Sequence, residues 1–173
     1  MRYFIGIDIP EKTKLAIQQW REKYWVQHFE LAPVPMQNFH ITLAFLGHID
    51  ELQHEQLCTN LNEITTAPFK ILIDQFSVWK KPPIGLLGCN EVTADLKELQ
   101  QGTSRVARQA NISIGEREYI PHITLARKCK SLVSVPLMEP CFEFKVEEFC
   151  LFESVSTSSG VRYPVRQKWQ LNR

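Results

Sequence analysis

The tetrapeptide His-Ile-Thr-Leu occurs twice in this chain, at 40–43 and at 122–125. With each amino acid at an ordinary frequency of roughly 5% to 10%, two of five histidines would share their next three residues on the order of a few times in a thousand. Coincidence is a poor explanation. Each copy sits in a run with strand character, 39–46 ending at Gly47 and 119–127 around PHITLAR, and in each half a helical pattern precedes that strand. Two related lobes facing one another are expected.

The remaining patterns fill in an α+β architecture, with mainly antiparallel strands and helices packed on the outer faces. Residues 2–9 read as a strand broken at Pro10, and a helix follows over 11–25, with Leu15, Ile17, Trp20, Tyr24 and Trp25 forming a buried stripe and charges on the other face. After the connector 33–38 and the first motif, a second helix is expected over 51–64 with Asp50 as its N-cap. Residues 69–79 read as one strand, 80–83 as a turn and 84–89 as its hairpin partner. A third helix over 94–110 keeps its spacing despite Gly102, and strands at 142–152 and 161–171 flank a Ser-rich turn at 154–160.

Twenty Lys and Arg against nineteen Asp and Glu leave a formal charge of +1, too little to coat long stretches of nucleic acid. A small anion held locally remains open. The five cysteines are widely spaced with no C-x-x-C pair, so reduced buried thiols are expected rather than a disulfide framework or zinc ribbon. The apolar start reaches Asp8, Pro10 and Glu11 without a cleavage signature, and no run approaches membrane-span length. A cytoplasmic, monomeric chain of one domain, 1–173, with no membrane partner is the expectation.

In a strand, alternate side chains share a face, so His40 stands with Thr42 and His122 with Thr124, the imidazole and hydroxyl about 7 Å apart. Ile41, Leu43, Phe45, Ile123 and Leu125 then face the core, with Ala44 and Ala126 on the histidine side. Hydrolysis of a phosphodiester needs a base for the attacking water and an acid for the departing oxygen. Two imidazoles titrating near neutrality supply both. The hydroxyls of Thr42 and Thr124 can donate to non-bridging oxygens, and Arg127, three residues after Thr124, adds a cation. A lone strand histidine is more often a packing residue, but the duplication reverses that reading. Threonine is common in strands anyway, so its fixed offset from histidine is what singles it out. Arg127 has Lys128 and Lys130 nearby and a solvated charge as its alternative. His28, His48 and His54 share none of this context and read as surface or loop residues. Zinc at His40 and His122 would want a third ligand that no H-x-H, H-E-x-x-H or cysteine pair supplies.

The stretches NFHITLAFLG and YIPHITLAR, with RYFIGIDIP at the start and GVRYPVRQKWQL near the end, resemble the two-histidine (2H) phosphoesterases. Two HxT motifs define that family. Within it the chain is similar to the bacterial RNA 2′,3′-cyclic phosphodiesterase branch, formerly named 2′-5′ RNA ligase. The resemblance implies a bilobal fold with pseudo-twofold symmetry and a central cleft. It also implies opening of a 2′,3′-cyclic phosphate on an RNA or nucleotide to a 2′-phosphate, with no cofactor and no metal. By the same resemblance His40 is the proton donor to the leaving 3′ oxygen and His122 accepts a proton from water, with Thr42, Thr124 and Arg127 on the phosphate. The superfamily also acts on tRNA-splicing products, cyclic ADP-ribose phosphates and 2′-5′ oligoadenylates, and the reverse reaction joins RNA ends through a 2′-5′ bond. A non-enzymatic RNA-binding module would tolerate loss of the histidines, and a purely structural role would leave the repeated polar face unexplained. Arg162, Arg166 and Lys168 are candidates to hold upstream phosphates, with a solvated strand face as the alternative.

Overall fold

The structure, a computed structural model, describes residues 1–25, 31–129 and 134–172. Strand β1 (Arg2–Asp8) runs into helix α1 (Glu11–Tyr24), and β2 (Ala32–Pro33) with a 3-10 turn (Met36–Asn38) leads to β3 (His40–His48). Helix α2 (Glu51–Leu61) follows, then β4 (Phe69–Ile73), β5 (Gln75–Lys80), β6 (Pro83–Gly88) and helix α3 (Ala94–Gln109). The chain continues through β7 (His122–Arg127), β8 (Phe142–Val146), β9 (Glu148–Thr157), β10 (Gly160–Arg162) and β11 (Val165–Gln170). The class is α+β, as expected, and the strands pair antiparallel.

Asp50 caps α2 as its sequence context requires. Its carboxylate accepts from the Gln53 N–H at 2.8 Å, and the Gln53 side chain accepts from the Asp50 N–H at 3.0 Å, so two otherwise orphaned donors are satisfied reciprocally. Helix α1 departs from expectation. Ile17, Trp20 and Trp25 are buried, but Leu15 is 47% exposed, and the inward face instead carries Lys14 and Arg21. Lys14 and Arg21 lie three before and four after Ile17, a spacing that shares its face, whereas Leu15 lies only two before it and turns away. Lys14 is paired with Asp8 at 2.9 Å; among the described residues no carboxylate pairs with Arg21.

Two sheets carry the motifs. The first runs β10-β9-β1-β3 with β11 also on β9, the second runs β2-β7-β6-β5, and β4 pairs with β8 as a separate ribbon. The sheets therefore do not divide the chain at one point: β9, β10 and β11 from the end join the first-motif sheet, while β2 from the beginning joins the second. The expected single strands 69–79, 142–152 and 161–171 are each two, and β9 runs on through Thr157 into the expected turn at 154–160. Asp74 interrupts the first, its carboxylate accepting from the Asn90 N–H at 2.8 Å, and Glu147 interrupts the second. The hairpin of β5 with β6 forms as expected.

Helix α3 packs on β3 and on α2, and β3 and β7 approach one another across the two sheets. Ile41, Leu43, Ile123 and Leu125 are at most 2% exposed and belong to one apolar core. Each such side chain contributes roughly 1.5–3 kcal/mol by its burial, so the motif strands are anchored from behind by a shared interior.

Candidate active site

The two motifs have the same burial along their length. From His40 to Phe45 and from His122 to Arg127, the sequence is half-buried, buried, half-buried, buried, buried, exposed. Strict alternation would bury every second residue, and the departure has one cause in both strands. Thr42 stands opposite Gly6 and Ala44 opposite Ile5, with Leu43 skipped. Likewise Thr124 stands opposite Leu86 and Ala126 opposite Gly85, with Leu125 skipped. An extra residue in one strand of a pair is a β-bulge, which re-aims the side chains beyond it.

The bulges correct the expected facing of the residues after each motif. Ala44 and Ala126 are buried rather than beside the histidines, and Phe45, expected in the core, is 68% exposed. They also account for Arg127. An offset of three from Thr124 would put it on the opposite face of a regular strand; across the bulge it returns to the face of His122 and Thr124. Phe45 occupies the equivalent place after the first motif.

Each imidazole is held by a backbone carbonyl two residues earlier. His40 Nδ1 lies 2.7 Å from the Asn38 oxygen, and His122 Nδ1 lies 2.8 Å from the Ile120 oxygen. A carbonyl only accepts, so Nδ1 of each ring carries the hydrogen and Nε2 is the atom that takes or gives a proton. His40 Nε2 stands 3.1 Å from the Thr42 hydroxyl, so the two groups converge from the strand repeat of about 7 Å expected to separate them. On the other side, Asn38 donates its side-chain amide to the Val161 carbonyl at 2.9 Å, fixing the approach to His40 against β10.

Aromatic rings shield both imidazoles. Phe4, Tyr163 and Phe152 surround His40 with centroids 4.8, 5.1 and 5.9 Å away, and Trp79 lies 4.6 Å from His122. Loss of water holds His40 down at about 4; the nearby His122 and Arg127 charges act in the same direction, against the Asn38 carbonyl and Asp8. His122 is also lowered, first by burial and then by Arg127, against the Ile120 carbonyl. Without a ligand both rings are neutral at pH 7, and Arg127 acts electrostatically on both.

The structure thus gathers His40, Thr42, His122 and Arg127 into one constellation, with Thr124 on the same strand face as His122. Sequence reasoning missed the aromatic shield and Tyr119, whose hydroxyl donates to the Thr42 carbonyl at 3.0 Å and so links the approach to one motif with the other. The Tyr immediately before IPHITL was visible, but nothing local indicated its partner 77 residues away. Arg166 and Lys168 do not project freely: Glu153 pairs with the first at 2.7 Å and Glu148 with the second at 2.9 Å. Arg162 is exposed. His48 lies exposed at the end of β3, His54 is half-buried on α2 rather than in a loop, and His28 lies outside the described residues, as does Lys130. All five cysteines are free; Cys129 and Cys150 are buried, but Cys141 is exposed.

The chain is similar to known phosphoesterases along nearly its whole length. The model of the LigT-like phosphoesterase family matches residues 7–86 and again 87–163, so the chain belongs to that family and contains two LigT-like repeats. It is 33% identical over 179 residues to the RNA 2′,3′-cyclic phosphodiesterase of Bacillus subtilis strain 168, covering 98% of this chain and 96% of the relative. To the protein of the same name from Escherichia coli strain K12 it is 27% identical over 170 residues, covering 98% and 96%. The crystal structure of E. coli LigT complexed with 3′-AMP superposes with a TM-score of 0.92 at 28% identity, over 99% of this chain and 98% of that one.

Proposed function

We propose that this chain is an RNA 2′,3′-cyclic phosphodiesterase, opening the cyclic phosphate to a 2′-phosphate by general acid and base catalysis without metal. The observation that carries the reading is the pair of imidazoles, each fixed at Nδ1 by a carbonyl and served by the charge of Arg127. The names of the relatives agree with it.

In this scheme water attacks phosphorus while His122 Nε2 takes its proton; the bond from phosphorus to O3′ breaks, and His40 Nε2 protonates the departing oxygen. Thr42 and Thr124 donate to the non-bridging oxygens, and Arg127 offsets their charge. His40 and Thr42 come from the first repeat and His122, Thr124 and Arg127 from the second, which supports one catalytic unit built from both. Five free thiols fit a reducing cytoplasm. Among the described residues no helix is long and apolar enough to cross a membrane.

The test is product analysis with a nucleoside 2′,3′-cyclic phosphate in the presence of a chelator. Release of the 2′-monophosphate is expected. A 3′-monophosphate product, or activity lost with chelator and restored by zinc or manganese, would refute the scheme.

A further inference from the structure

Arg21 is a buried cation that the catalytic scheme does not use. Its residue is 4% exposed, and among the described residues no carboxylate forms an ion pair with it. One nitrogen, Nη1, donates at 2.7 Å to the Val34 carbonyl and at 2.7 Å to the Leu125 carbonyl, while Nε has no partner among the described residues. The guanidinium lies 5.2 Å from the centroid of Phe39, the residue before His40. A buried charge is an expensive way to fill space, and an apolar side chain of similar volume is commonly as stabilising or more so.

What the guanidinium holds is specific. Leu125 is the bulged residue of the second motif, and its carbonyl also accepts from the Val34 N–H at 2.9 Å. A bulge leaves backbone groups outside the regular ladder. Here the Leu125 carbonyl is taken by Val34 N–H on one side and Arg21 on the other. Beyond it, β2 pairs Ala32 with Arg127 and Pro33 with Ala126, so the same guanidinium fixes the strand that flanks Arg127. The first motif has a longer neutral counterpart: Gln100 Nε2 of α3 stands 3.5 Å from the Leu43 carbonyl. The charged, shorter brace thus lies behind the motif whose bulge re-aims a catalytic cation.

We propose that Arg21 is a positioning residue: from behind the site it fixes the Leu125 bulge, and through it the aim of Arg127 at the phosphate. The proposal rests on the reading of Arg127 given above. Because Arg21 acts through Arg127, its contribution to turnover should vanish when Arg127 is absent.

A double-mutant cycle on turnover of a 2′,3′-cyclic nucleotide tests this with R21Q, R127A and the double variant of the full chain. R127A is expected to lower turnover about 10²-fold, as loss of a transition-state donor does. R21Q is expected to lower it about tenfold alone, within the range by which contacting groups couple, and by less than about twofold when added to R127A. Thermal melts identify any variant that does not fold. R21K, which keeps the charge but replaces the planar fork, then carries the same cycle with a smaller loss. Equal losses from the Arg21 substitution in both backgrounds, or none in either, would overturn the proposal. An R127A variant of undiminished turnover would overturn it too, by removing the role of Arg127; an inactive wild type would instead defeat the proposed function.

Discussion

His40 is neutral at pH 7 in the free protein, yet the acid role assigned to it requires a proton. The causes of its lowered pKa show how substrate reverses this. Aromatic burial excludes water, and the charge of Arg127, joined by His122 only when that ring is itself protonated, repels a further cation; an anionic phosphate beside them counters that repulsion and favours imidazolium. Binding of a phosphate ligand at pH 7 is therefore expected to take up a proton. Calorimetry in buffers of different ionisation enthalpy measures it, and uptake should disappear in H40A. Zero uptake by the unmodified protein would argue against His40 as the group that charges.

The same shift links stability to pH. The unfolded chain binds a proton at His40 near 6.5, the folded one only near 4. The contribution is therefore complete above 6.5 and is lost as pH falls through that window, because the unfolded state binds more protons there. Denaturant titrations between pH 7 and 4 should show a shallower loss in H40Q than in the unmodified protein. An identical slope would mean that His40 is not buried neutral.

At the scale of elements, the motif strands and the three helices were legible because hydrophobic period and capping chemistry are local. Asp50 announces α2 one residue before the helix begins. The bulges were not legible, since an extra residue is defined by its partner strand, and alternation alone put Phe45 inside and Ala126 outside. The division of 69–79 at Asp74 escaped for a similar reason: Phe69–Ile73 and Gln75–Lys80 have uniform strand character but find partners in different sheets. Arg21 falls among the charges of the solvated face when the helix is read alone, because its partners are carbonyls from Val34 and Leu125, which no local pattern reveals.

Gly85 is where the second bulge meets the core. It stands opposite Ala126, and a Cβ there would lie 2.5 Å from Cη2 of Trp25. Trp25 is 1% exposed, and its indole N–H donates to the Ser134 carbonyl at 3.0 Å, so the ring has little room to yield. Gly85→Ala is expected to destabilise the fold by ~1–3 kcal/mol through overpacking. Equilibrium unfolding in denaturant checks this; an unchanged midpoint and slope would show that the indole moves freely.

At the scale of the whole molecule, the site exists because two sheets that exchange strands along the chain share one core. The duplication in the sequence foretold two related lobes, but their membership depended on long-range pairing: β1 lies between β3 and β9, and β2 crosses to β7. The sequence also led to all five proposed site residues. It did not contain the neutral state of the free histidines, which follows from rings drawn from β1, β5, β9 and the segment after β10.

The division of labour between the histidines is tested most directly by the leaving group. H40A and H122A are each expected to lose ~10² to 10⁴ in turnover on a cyclic phosphate. A nucleotide aryl phosphodiester, whose phenolate departs without protonation, should restore most of the loss in H40A and leave H122A impaired, since only the base is still needed. Equal restoration of both variants, or of neither, would contradict His40 as acid and His122 as base.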